Sequence, residues 1–113
     1  MIAKKNRVPR EKISYILSKG DSSTSRFFII RYTGNDVNFS RYRTIVSKKI
    51  DAQAVNRNKL RRQIYEATRE NIKIEEKNSP KYDIILIPKK NIKDTDFKHI
   101  SEDIGSIILN PIQ

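Results

Sequence analysis

The chain has 113 residues, with 24 Lys plus Arg against 13 Asp plus Glu, giving a formal net charge of +11 and a sequence pI near 10.0. That length, with 36% hydrophobic residues, supports one small core but not two. Zero cysteines and a single histidine, His99, exclude disulfide scaffolds, thiolate catalysis, zinc knuckles and His-rich metal sites. No apolar run approaches the roughly 20 residues that span a bilayer, and the basic 1–10 stretch lacks the apolar segment of a signal peptide. These features predict one domain over 1–113, cytoplasmic, with a polyanion as its partner.

Residues 10–19 read as a short helix, because Ile13, Ile16 and Leu17 fall at i, i+3 and i+4 and Gly20 follows as a stop. Asp21-Ser22-Ser23-Thr24-Ser25 reads as a polar turn. Residues 26–33 read as a strand built on Phe27, Phe28, Ile29 and Ile30. Strand alternation gives Phe27 and Ile29 one face, Phe28 and Ile30 the other. Gly34-Asn35-Asp36 is turn chemistry, followed by a short strand or edge over 37–40 and a further strand over 43–48.

A long helix is predicted over 54–71, with Asp51 upstream as a cap candidate. On a 100° wheel Leu60, Ile64 and Ala67 form an apolar stripe, with Asn56 and Gln53 at its margin. The opposite face carries Asn58, Arg61, Arg62, Tyr65 and Arg69. After a charged connection over 73–81, the run Ile84-Ile85-Leu86-Ile87, closed by Pro88, reads as a central strand buried on both faces. Residues 101–109 then form an amphipathic helix with Ile104, Ile107 and Ile108 inward. The order is helix, two or three strands, helix, strand, helix. That makes an α+β fold, an α/β sandwich around one small sheet.

The charge is concentrated. Residues 81–113 carry five basic and five acidic groups, so the first 80, with 19 against 8, hold the whole excess. Within 41–62, Arg41, Arg43, Lys48, Lys49, Arg57, Lys59, Arg61 and Arg62 face a lone Asp51. A phosphate backbone docked there would release its counterions with a gain in entropy. Arginine forks bind phosphate oxygens bidentately, Asn58 can reach a base edge or a ribose hydroxyl, and Lys48 and Lys49 sit just ahead of a helix N-terminus that itself attracts anions. Nothing comparable supports protein-borne catalysis: no catalytic carboxylate pair, Ser–His–Asp set or Gly-rich phosphate loop is visible. Asp94 and Asp96, beside Lys93 and Lys98, read as solvated charge rather than a metal site, and His99 as a surface residue. Strands, not a second helix, precede the basic helix, which argues against a DNA-binding helix-turn-helix.

Ser47-Lys48-Lys49 followed by Ala54-Val55-Asn56-Arg57-Asn58-Lys59-Leu60-Arg61-Arg62 resembles the signature of the protein subunits of bacterial ribonuclease P. The resemblance extends to Lys19-Gly20 at the end of the first helix, to Arg26-Phe27-Phe28-Ile29, to Arg41, and to Asp83-Ile84-Ile85-Leu86-Ile87-Pro88-Lys89. The chain departs from the family pattern where Lys59 replaces Arg, Arg61 replaces Lys and Tyr65 stands in place of Arg. Ile13 and Leu17 occupy the positions of two cleft Phe residues, and Arg31 that of a Tyr.

The resemblance implies a helix–three strands–helix–strand–helix domain with a left-handed βαβ crossover. It implies a protein cofactor in 5′ maturation of tRNA, partnered by a catalytic RNA and precursor tRNA, with hydrolysis by the RNA and magnesium bound to that RNA. RNA-binding residues are then Lys48, Lys49, Arg57, Asn58, Lys59, Arg61, Arg62, Tyr65 and Arg69, with Tyr65 on the basic face as a stacking residue. Ile13, Leu17, Phe27, Ile29 and Arg31 are candidates to line the cleft for the 5′ leader. The alternative from composition is a structural, ribosomal-type RNA-binding protein.

Overall fold

In a computed structural model, residues 3–74 and 80–109 are described; 75–79, within the predicted 73–81 connection, and the end residues 1–2 and 110–113 lie outside them. Four strands, β1 (Asp21–Thr24), β2 (Phe28–Gly34), β3 (Arg41–Thr44) and β4 (Tyr82–Pro88), form one mixed sheet in the order β1-β2-β4-β3. Three helices, α1 (Arg10–Lys19), α2 (Ala54–Asn71) and α3 (Phe97–Leu109), complete the α+β fold. The predicted central strand is central. β4 pairs antiparallel with β2, setting Ile30 opposite Leu86, and parallel with β3, setting Arg41 opposite Asp83.

Period-two alternation divides the sheet into two unlike faces. On one, Phe28, Ile30, Tyr32, Tyr42, Ile84 and Leu86 join Ile64, Tyr65 and Ala67 of α2 and Ile100, Ile104, Ile107 and Ile108 of α3 in the main core. On the other, Ile85 packs with Val8 and Ile16 of the α1 side, and Ile13, Ile45 and Ile87 are only partly buried around them. This second face also holds a buried ion pair: Arg41 Nε and Nη2 donate to the Asp83 carboxylate at 2.7 and 2.8 Å, and Asn35 Nδ2 donates to it at 3.0 Å. Asp83 is 1% exposed, so its charge is tolerable only with these donors present. The pair stands at matching positions of β3 and β4 and marks their register.

Several predicted boundaries shift. The Asp-Ser-Ser-Thr turn is the edge strand β1, whose polar residues take ladder bonds from β2 and bury only Ser23. Residues 37–40 form no strand. The third strand lies at 41–44 rather than 43–48, since Tyr42 and Thr44 point into the main core while Arg41 and Arg43 find partners on the other face. The helix α3 starts at Phe97, one turn before the predicted Ser101, because Asp96 supplies a cap: Oδ1 accepts the His99 N–H at 3.1 Å, and the carbonyl accepts the Ile100 N–H. Phe27 and Ile29 do not share a strand face. Phe27 precedes β2 in a bend and is 3% exposed in the main core.

Gly20 ends α1 as expected, but with an extended backbone (φ −71°) rather than a left-handed one. What excludes a side chain is space. A Cβ there would lie 2.5 Å from the Ile16 carbonyl oxygen and 2.9 Å from that of Tyr32. The outer edge of β3 is covered by the N-terminal segment, where Arg7 bridges Tyr42 and the Val8 N–H donates to the Tyr42 carbonyl at 3.2 Å.

Candidate RNA interface

The basic helix α2 runs over 54–71 as predicted, on good helix formers with no internal Gly or Pro. Burial begins only in its second half: Ile64, Tyr65, Ala67 and Thr68 are buried, while 54–56, 58, 59 and 62 are exposed. The first turns therefore project past the core, and their cations meet solvent.

The projecting residues are not equivalent. Arg57 is half-buried and folds back on the chain, its Nη1 donating to the carbonyls of Asp51 (3.0 Å) and Ala52 (2.8 Å). Arg61 Nη1 donates to Asn58 Oδ1 at 2.6 Å, so these two are already oriented against one another. Glu66 binds Arg69, which holds its carboxyl below the usual range. Arg62 and Lys59, both exposed, have no ion-pair partner among the described residues. Immediately upstream, Lys48 and Lys49 are exposed on a turn closed by the Ile50 N–H donating to the Ser47 carbonyl at 3.1 Å, with Ile50 buried as its anchor. Strand end, turn and helix thus place Lys48, Lys49, Asn58, Lys59, Arg61 and Arg62 at the surface.

Tyr65 is a correction. It is 5% exposed in the main core, and its hydroxyl accepts the Thr44 N–H at 3.1 Å. The wheel misplaced it by centring the inner face on Leu60 and Ala67. The observed inner arc runs from Ala67 through Ile64 and Thr68 to Tyr65. A stacking role on RNA is closed to it.

Beside α1 the cleft candidates are partly assembled. Leu17 is 39% and Ile29 40% exposed, and both are aliphatic. Arg31, two residues along β2 from Ile29 and so on the same face, donates from Nη2 to the carbonyls of Leu17 (3.0 Å) and Gly20 (2.9 Å). Its guanidinium thus fastens the C-terminal end of α1 to the sheet. Ile13 packs into the small second-face cluster, and Phe27 lies in the main core, away from this surface.

A further basic site lay outside the sequence reading. A cavity of about 330 Å³ is lined by Lys4, Arg7, Arg10, Arg43 and one acid, Glu11. Arg43 Nε and Nη2 donate to the Val8 carbonyl at 3.1 and 2.9 Å, while the buried Arg7 Nε has no partner. Arg7 and Arg43 are far apart in sequence and meet only because the N-terminal segment runs beside β3. Among the described residues no group of three or more His, Cys, Asp or Glu is placed to hold a metal ion, and no helix is long and apolar enough to cross a membrane.

The fold has counterparts among known proteins. The Ribonuclease P family model matches residues 2–110. The ribonuclease P protein component of Clostridioides difficile (strain 630) is 37% identical over 93 residues, covering 82% of this chain and 79% of that one. The structure of the RNase P protein from Thermotoga maritima superposes with a TM-score of 0.77 at 27% identity, covering 95% of this chain and 97% of that chain. The Staphylococcus aureus RNase P protein gives 0.70 at 29%, covering 90% and 91%.

Proposed function

Since the chain belongs to the ribonuclease P protein family, we propose that its α2 face and the Lys48-Lys49 turn bind the catalytic RNA of that ribonucleoprotein, and that the surface beside α1 binds the 5′ leader of precursor tRNA. The protein is a component of a tRNA-processing ribonuclease and works with RNA. The observation that carries the finer reading is a dense row of exposed cations whose neighbouring acids, Asp51 and Glu66, are paired with other cations. Lys48, Lys49, Lys59 and Arg62 are exposed, and Glu66, the nearest acid on the helix, is taken up by Arg69. Such a surface binds phosphate chiefly through counterion release.

Each part then has a physical task. Arg61 and Asn58, held together, offer a guanidinium and an amide at one spot, suited to a phosphate with a neighbouring ribose or base edge. Arg69, shared with Glu66, contributes less. The cavity of Arg7 and Arg43 would take a further phosphate. Leu17 and Ile29 offer an apolar floor to unstacked leader bases, weaker than aromatic rings would be. Hydrolysis falls to the catalytic RNA. Magnesium takes hard oxygen ligands, which RNA phosphates supply. The protein then works in the cytoplasm, where precursor tRNA is made.

The test is cleavage of a precursor tRNA by a bacterial-type ribonuclease P RNA at low magnesium, with and without this protein. Restoration of correct 5′ maturation is expected. Failure to restore it, with tight RNA binding retained, would replace the cofactor role by that of a structural RNA-binding protein.

A further inference from the structure

We infer that Asp51, the one acid among the eight cations of residues 41–62, is a positioning residue for RNA binding: its carboxylate fastens the turn that presents Lys48 and Lys49. The inference rests on the reading of the basic face as the RNA-binding surface.

Charge alone assigns Asp51 the opposite effect. A carboxylate beside Lys48, Lys49 and Arg57 repels phosphate, so its removal should tighten binding. Its contacts argue otherwise. Oδ1 accepts the Gln53 N–H at 2.9 Å, while Oδ2 accepts from Asn56 Nδ2 at 3.2 Å and pairs with Lys93 Nζ at 3.2 Å. The Asp51 carbonyl takes Arg57 Nη1. One residue thus ties together the turn, the start of α2 and the segment after β4. Packing anchors the turn at a single point. Ile50 is the turn's one buried residue between 47 and 53, and a cavity of about 320 Å³ opens beside it, bounded by Leu60, Ile92 and Ile100. Elsewhere the segment is held by hydrogen bonds, and three of these end on Asp51, as does the ion pair with Lys93. Loosening it would leave Lys48 and Lys49 to be ordered when RNA binds, which lowers affinity.

The experiment measures the dissociation constant of the full-length protein for a bacterial-type ribonuclease P RNA across a salt series. Asp51→Ala and Asp51→Asn raise the net charge equally, but Asn keeps a side-chain oxygen for the Gln53 N–H. Expected is a loss of about three- to tenfold for Asp51→Ala, with Asp51→Asn within about twofold of wild type. Equal or tighter binding by Asp51→Ala, or identical behaviour of the two variants, overturns the inference. Should Asp51→Ala fail to fold by circular dichroism, Asn56→Ala removes one donor without changing charge. A loss of about twofold is expected there, and none overturns the inference. Arg62→Ala runs alongside. If it loses affinity and salt dependence while Asp51→Ala does not, only the role of Asp51 falls; if neither variant changes binding, the RNA-face reading falls with it.

Discussion

The two faces of the sheet are built from alternate residues of the same strands, yet they differ in kind. The face under α2 and α3 is closed: Phe28, Ile30, Ile84 and Leu86 are covered by the isoleucines of α3 and the inner arc of α2. The face under α1 is half-open. It buries Val8, Ile16 and Ile85, leaves Leu17 and Ile29 partly exposed, and holds its geometry with polar fastenings, Arg41 on Asp83 and Arg31 on the end of α1. Apolar burial stabilises the first face without specifying partners; charged hydrogen bonds position the second while leaving its apolar atoms available.

Adjacent residues of β2 test this contrast most directly. Ile30→Ala should destabilise the protein by about 2–5 kcal/mol, the range for a fully buried aliphatic, while Ile29→Ala should lose under about 1 kcal/mol because part of its surface is already wet. Denaturant titration separates the two, and equal losses would show that the second face is as closed as the first. Next in size, Tyr65→Phe leaves the Thr44 N–H unpaired in the core and should lose about 1–3 kcal/mol with RNA affinity unchanged. A fall in affinity without a fall in stability would return Tyr65 to the interface.

Smaller effects concern binding. Ile29→Phe adds an aromatic ring to the open face and should raise the affinity for a single-stranded leader oligonucleotide by about 1 kcal/mol, at the low end for stacking on one base. No gain would place the leader elsewhere. Arg62→Ala should reduce the slope of log affinity against log salt by about 0.7–0.9 and leave the thermal midpoint alone.

The smallest expected effect is the acid response of two carboxylates, Asp51 in the turn before α2 and Asp96 at the start of α3. Asp51 titrates below the usual range, first because the Gln53 N–H donates to it and then because of Lys93; Asp96 does so through the backbone N–H and ring of His99. Both are better partnered folded than unfolded. Their stabilisation is therefore full above the unfolded carboxylate value, about pH 4, and is lost as pH falls through the depressed folded values. Thermal melts of Asp51→Asn against wild type should converge as pH drops below that point; a constant difference would deny Asp51 its charged partners.

The legible and illegible parts of the sequence separate by the range of the interaction. Periodicity over 18 residues gave the bounds of α2, and the uninterrupted Ile-Ile-Leu-Ile run placed β4 at the centre of the sheet. Local polarity misled at β1, whose Asp, Ser and Thr are a strand only because β2 lies alongside, and at 41–44, where two arginines in a strand are satisfied by Asp83 and by the Val8 carbonyl, both remote in sequence. The site followed the same rule. The basic motif was readable because it is contiguous. Arg31 clamping α1, Asp51 meeting Lys93, and Arg7 beside Arg43 were not, since each pair is made by the fold. Tyr65 failed for a subtler reason: a tyrosine reaches across the edge of a helix face to a backbone amide on β3, and a wheel has no measure of side-chain length.

The place of β4 has a consequence for how the chain is made. β2 and β3 do not pair with each other; each pairs with β4, which begins at residue 82. Until that strand leaves the ribosome, β1–β2 is the one pairing of the four-stranded sheet that can form, and an isolated hairpin is marginal in water. The first 80 residues, holding all of the net positive charge, therefore emerge before their sheet can close. Last of the four described strands in chain order, β4 completes the sheet against which α2 and its cations are held.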